Sequence, residues 1–292
     1  MNTNSWIKKN STSLLGKKIA VTGTTGGLGR ELCRYLASLG ASLILMDRNA
    51  ERSEAFRAEL ERDFGICAVC VGVDLEDLES VKRAAAQLKC ENIDVFINNA
   101  GAYSIPRHEC YAGHDNVFGI NFASPYYIIK EILPSLRERG GRVVAVGSIA
   151  HNYSKSDASD VDFSTRKQAS KVYGNAKRYL MFSLFELFRD EKDVHLAVTH
   201  PGITFTNITA HYPKLIFAVI KYPMKIIFMK PRKAALSILA GVFEDCSYFE
   251  WIGPRVFDVW GLPKKKKLRT CKETESREIF LRAEKIYEQI KS

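Results

Sequence analysis

Lys17-Lys18-Ile19-Ala20-Val21-Thr22-Gly23-Thr24-Thr25-Gly26-Gly27-Leu28-Gly29 is the stretch on which the reading of this chain turns. Ile19, Ala20 and Val21 form a short apolar run that predicts a buried strand, and Leu28 to Leu39 has the spacing of a helix ending at Gly40. Between them, glycines at 23, 27 and 29 permit a tight turn, open the backbone to a pyrophosphate and let helix pack on strand. The helix start then offers unpaired N–H groups and the positive end of its dipole to phosphate. Thr25 and Leu28 sit in the same turn. Strand, Gly-rich turn and helix in this order predict a dinucleotide site.

Working outward, apolar runs alternate with helical periods. Strands are expected at Ser42–Met46, Ile66–Val73, Ile93–Ile97, Arg142–Val146 and Val194–Val198. Helices are expected at Glu51–Phe64 and Leu78–Leu88, with a long helical stretch before Arg142. Such alternation means parallel strands joined by helical crossovers, so the expected class is α/β, a Rossmann-type doubly wound parallel sheet. No Pro/Gly/Ser-rich linker divides the chain. A single catalytic domain is expected over residues 17–260, preceded by a polar tail at 1–16 and followed by a basic tail or helix at 261–292.

The second strand ends at Asp47, where a carboxylate can accept hydrogen bonds from ribose hydroxyls and repel a 2′-phosphate. Arg48 follows and could pair with that phosphate instead. With the carboxylate present, NAD is the expected cofactor over NADP. Asp47 could also cap the next helix. Asp74, with Leu75 after it, ends the third strand, positioned for an adenine edge or for a helix N-cap.

The chain resembles the classical short-chain dehydrogenase/reductase family from about Lys17 to Gly253. The resemblance rests on Thr22-Gly23-xxx-Gly27-x-Gly29, Asn98-Asn99-Ala100-Gly101, Asn121, Ser148, Tyr173-xxx-Lys177 and Pro201-Gly202, in the family's order. It implies that Ser148 holds the substrate oxygen, Tyr173 transfers its proton, Lys177 binds the nicotinamide ribose and Asn121 supports a water relay. It also implies that Asn99-Ala100-Gly101 lies against the adenosine ribose, that Pro201, Gly202 and Thr204 border the nicotinamide, and that Thr206 holds its carboxamide. The bottom-up chemistry is compatible. Tyr173 and Lys177, four apart on a predicted helix, share a face. A nearby ammonium is expected to lower the phenol's pKa toward acid/base range.

The polar stretch His151–Gln168, holding Asp157, Asp160 and Asp162, lengthens the interval between Ser148 and Tyr173. With Ser148-Ile149-Ala150-His151, His200-Pro201-Gly202 and Trp260-Gly261-Leu262-Pro263, it is similar to the retinol- and steroid-handling branch. Ile203 to Met229, where the family carries its substrate lid, is rich in large apolar residues punctuated by Lys214, Lys221 and Lys225. The expected substrate is a bulky hydrophobic alcohol or ketone, a hydroxysteroid or similar lipid. Reduction of small aldehydes and a non-catalytic dinucleotide scaffold are the alternatives. An extended-type nucleotide-sugar enzyme would need different glycine spacing.

Composition sets the remaining bounds. At 292 residues and 46% hydrophobic, the chain can bury a sizeable core. Seven scattered cysteines fit reduced thiols in a cytoplasm-like compartment. Cys67 and Cys70 fall in an apolar run and are expected in the core, and no metal site is expected. His200 and His211 are expected to be structural. The net charge of +10 and the run Lys264–Lys267 suit a weak peripheral membrane contact. One basic run without aromatic interleaving does not support nucleic-acid binding. A homodimer or homotetramer is expected, with the lid as one candidate contact.

Overall fold

The computed structural model describes residues 2–204 and 229–292. Strands β1 (Lys18–Thr22), β2 (Ser42–Asp47), β3 (Ala68–Gly72), β4 (Val95–Asn98), β5 (Arg142–Val146), β6 (His195–Thr199), β7 (Glu250–Val256) and β8 (Trp260–Lys267) form one sheet. Their spatial order is β3-β2-β1-β4-β5-β6-β7-β8. The strands pair in parallel from β3 through β7, and β8 returns antiparallel on β7. This is the doubly wound sheet that the strand–helix alternation predicts.

Period-two alternation along each strand divides the core between the two faces. Ile19, Val21, Leu43 and Leu45 join one buried cluster with α2 (Gly27–Ser38), α3 (Ala50–Phe64) and α8 (Pro231–Phe243). Ala20, Ile44, Met46 and Phe96 join the other, with α4 (Leu78–Cys90), α6 (Ser124–Arg137), α7 (Ala169–Leu187) and α9 (Glu273–Lys291). Strand order reverses between β1 and β4, the point where such sheets open a crevice beyond the strands' carboxyl ends.

The N-terminal end departs from the expected tail, whereas at the C-terminal end α9 lies within the segment expected as a basic tail or helix. Thr3–Asn10 is a helix, α1, capped by the Asn2 side chain, and its Trp6 is buried among the residues of α2 and α8. One large anchor holds a segment whose average composition is polar. The boundary expected at residue 260 falls within the β7–β8 hairpin, and Lys264–Lys267 lie on β8. Four consecutive lysines do not look like a strand, but at a sheet margin they are tolerated and discourage edge-to-edge pairing.

Local details correct three further expectations. Asn49, not Asp47, caps α3, and Asp77, not Asp74, caps α4. Cys67 is exposed and Cys70 half-buried, because β3 is the other edge of the sheet rather than a core strand. Among the described residues no helix is long and apolar enough to cross a membrane, and no metal-binding cluster occurs. The expected lid, including Thr206 and His211, lies almost wholly outside the described residues.

Candidate active site

The glycine-rich turn is fixed by contacts that only small residues allow. A Cβ on Gly29 would overlap the Gly23 carbonyl, so α2 can start against β1 only with glycine there. Gly23 has φ +71°, and its face lies against Ala100 after β4. Gly26, the N-cap of α2, brings no side chain to the helix's free N–H groups, leaving them open to a ligand. Thr22 ties the turn to the next loop: its hydroxyl accepts from Asn99 N at 3.0 Å and Ala100 N at 2.9 Å. The Asn99 side chain donates to Thr22 O at 2.8 Å, so it braces the two loops together.

A cleft of about 670 Å³ opens above this turn. Gly23, Gly27, Leu28, Gly29, Arg48, Asn99, Ala100 and Gly101 line one end, and Ser148, Tyr173, Lys177, Pro201, Gly202 and Thr204 the other. Thr25, Asp47, Asp74, Leu75 and Asn121 are not among its lining residues. The Asp47 carboxylate is buried and turned inward. It accepts from Thr24 N at 2.9 Å, from the Thr24 hydroxyl, from Thr25 N and from the Thr25 hydroxyl at 3.0 Å. Asp47 therefore holds the turn and is not on the cleft wall, where the expected ribose contact would place it. Arg48 is exposed at the cleft, with no ion pair among the described residues. Asp74 is spent on a local turn, accepting from Glu76 N.

At the other end, β5 delivers Ser148 to the sheet's carboxyl edge, and α7 brings Tyr173 opposite. A Cβ on Gly174 would overlap the Ala150 carbonyl, so glycine is what lets α7 approach the Ser148 loop so closely. Burial pushes the Tyr173 phenol up to about 12, against a smaller lowering by the neighbouring Ser148 hydroxyl. Lys177 is buried, donates to Val146 O at 2.9 Å, and sits 5.8 Å from the centre of the Tyr173 ring. Burial pulls its ammonium down to about 8. The expected lowering of the tyrosine by the lysine is absent from the protein alone, because desolvation dominates both groups.

Asn121 stands on a π-helical turn, Gly119–Ala123, between the short α5 (Asn116–Phe118) and α6. Its side chain donates to Ala102 O and Val117 O, both at 2.8 Å, and accepts from Ala102 N at 3.2 Å. It thereby supports the loop carrying Gly101, which also has the Lys177 ammonium beside it, and is not on the cleft wall. His200 is buried, bonds Asp258 O at 3.0 Å and stacks on Trp251, and burial lowers its pKa to about 3. This is the structural role expected for it, though its ring also borders the cleft. Tyr103, Ile105, Ile149, Ala150 and Tyr153 give the same end an apolar, aromatic wall. Sequence reasoning missed them because no motif marks a hydrophobic lining.

The chain matches the short chain dehydrogenase family over residues 17–214, and it belongs to that family. Among curated relatives, it is 28% identical to retinol dehydrogenase 13 of Homo sapiens over 203 residues, 67% of this chain and 61% of that protein. It spans less than two thirds of the length of the first retinol dehydrogenases that it matches. Among solved structures, an uncharacterized protein from Mycobacterium paratuberculosis has a TM-score of 0.78 at 23% identity, covering 96% of each chain. The RhlG/NADP active-site complex of Pseudomonas aeruginosa has a TM-score of 0.61 at 26% identity, over 80% of this chain and 93% of that one. The glycine turn, the uncapped start of α2 and the cleft-facing Arg48 fit a nicotinamide dinucleotide.

Proposed function

We propose that this chain is an NADP-dependent oxidoreductase interconverting a bulky, mostly apolar alcohol and its aldehyde or ketone. The observation that carries the proposal is the convergence of Ser148, Tyr173 and Lys177 at one end of a cleft whose other end is the glycine-rich turn. In this reading the free N–H groups of α2 receive the pyrophosphate, Arg48 pairs with the 2′-phosphate, and Lys177 holds the nicotinamide ribose. The cofactor supplies hydride transfer. Ser148 orients the substrate oxygen by hydrogen bonding, and Tyr173 gives that oxygen a proton in reduction or takes it in oxidation. Asn121 positions the loop behind them. The apolar lining, and the retinol dehydrogenases among the relatives, support a retinoid, steroid or comparable lipid as substrate.

The cofactor clause reverses the expectation from Asp47 alone, and it has a direct test. Wild-type kcat/KM should favour NADPH over NADH. Arg48→Ser should cut the NADPH value about tenfold or more, as for a lost charge-assisted phosphate contact, and leave the NADH value nearly unchanged. A wild-type preference for NADH sinks the cofactor clause.

We further infer a weak peripheral contact with anionic membranes. Val256 and Phe257 are exposed at the turn of the β7–β8 hairpin, Phe257 by 85%, and the cations Arg255 and Lys264 stand nearby in that hairpin. Apolar tips flanked by cations suit a lipid interface.

A further inference from the structure

The stretch between Ser148 and Tyr173 holds three carboxylates, and the fold uses all of them internally. Asp162 accepts from Asp115 N at 2.8 Å and Ser164 N at 3.1 Å, with His114 3.7 Å away. Asp160 accepts from the Thr165 hydroxyl and pairs with Arg166 at 3.2 Å. Asp157 pairs with the same guanidinium at 2.6 Å and accepts from Ser159. The acids therefore staple the segment together, and the positive charges around them remain.

Those charges line a second cavity of about 420 Å³, bounded by Tyr153, Ser154, Lys155, Asp157, Arg166 and Lys171. Lys155 and Lys171 have no ion pair among the described residues. The Ser154 hydroxyl is buried without a hydrogen-bond partner. Lys171 stands in the first turn of α7, where Gln168 supplies no side-chain cap and no acidic residue balances the dipole. The two lysines and the unpaired hydroxyl favour an anion, and the Asp157 carboxylate in the same lining is paired with Arg166. Tyr153 lines both this cavity and the main cleft, so the two spaces adjoin.

We propose that this cavity receives the anionic end, a carboxylate or phosphate, of a long apolar substrate whose carbonyl lies between Ser148 and Tyr173. The proposal rests on the dehydrogenase reading and narrows its substrate to amphiphilic lipids. The apolar portion would run past Tyr153, with Lys155, Lys171 and Ser154 holding the charged terminus. Because both lysines are exposed, the attraction is strongest at low ionic strength.

The test compares long-chain ω-oxo fatty acids with their methyl esters at low salt. In the wild type the acids should have kcat/KM about tenfold above the esters, through KM. In Lys155→Glu/Lys171→Glu that advantage should vanish, with ester turnover unchanged as the control for folding. Equal turnover of acid and ester in the wild type overturns the proposal, as does an advantage that survives in the variant. Calorimetry with a non-reactive long-chain fatty acid, and with inorganic phosphate, separates the remaining cases. Loss of fatty-acid binding in the variant sustains the cavity even if no substrate is turned over, in which event the dehydrogenase reading alone fails. Equal fatty-acid binding by both proteins, or none by either, overturns it. Phosphate binding as tight as the fatty acid's also overturns it, by marking a site for free anions.

Discussion

Tyr173 and Lys177 carry opposite pKa displacements from one cause, burial beside the cleft. The phenol, near 12, stays protonated throughout the physiological range, the form that can donate a proton to a carbonyl oxygen. The ammonium, near 8, is the group that titrates. Its folded pKa lies below the unfolded value, so the unfolded chain binds more protons between about 8 and 10.5. This residue's cost to stability is therefore full below pH 8 and relaxes as pH rises through that window. Catalysis should run the other way. The kcat/KM for reduction is expected to stay flat through neutrality and fall above pH about 8, as Lys177 loses the charge proposed to hold the nicotinamide ribose. A profile level to pH 10 would remove Lys177 from that role. At this scale the sequence is informative where chemistry resides in residue identity: Ser148, Tyr173 and Lys177 meet in space as their spacing implies. It is silent on one point at Asp47, because a sequence records a carboxylate but not the direction in which it points. The hydroxyls of Thr24 and Thr25 decided that direction.

Among elements, the parallel strands β1 to β6 were the legible ones, since each reads as a short apolar run between helical periods. The margins were not. The β7–β8 hairpin mixes Pro254, Pro263 and four lysines, and α1 hides one buried tryptophan in a polar segment. The hairpin also offers a clean optical test of membrane contact. Of the three tryptophans, Trp6 and Trp251 are buried while Trp260 is 41% exposed beside the Phe257 turn. Brominated lipids in anionic vesicles should quench a part of the tryptophan emission at low salt, and Phe257→Asp should abolish the effect. Unquenched emission together with no flotation on such vesicles would end the membrane reading.

For the whole molecule, the doubly wound sheet determines where chemistry can occur. The reversal between β1 and β4 opens the crevice, the glycine turn occupies one end, and β5 and α7 bring the polar groups to the other. The order of motifs along the chain made this arrangement legible, because each motif falls at the carboxyl end of a strand or on the helix that crosses over it. The aromatic lining around Tyr103 and Tyr153 was not legible, since it comes from loops without a repeating pattern. In the proposed reaction Tyr173 transfers a proton while hydride passes between the cofactor and a bulky carbonyl compound. This proton transfer is tested most directly by NADPH oxidation with a retinaldehyde or steroid ketone, comparing wild type with Tyr173→Phe. Turnover by the wild type is expected, with a fall in kcat of about 10²–10⁴ in the variant and NADPH binding retained. Equal turnover by the two proteins would contradict it.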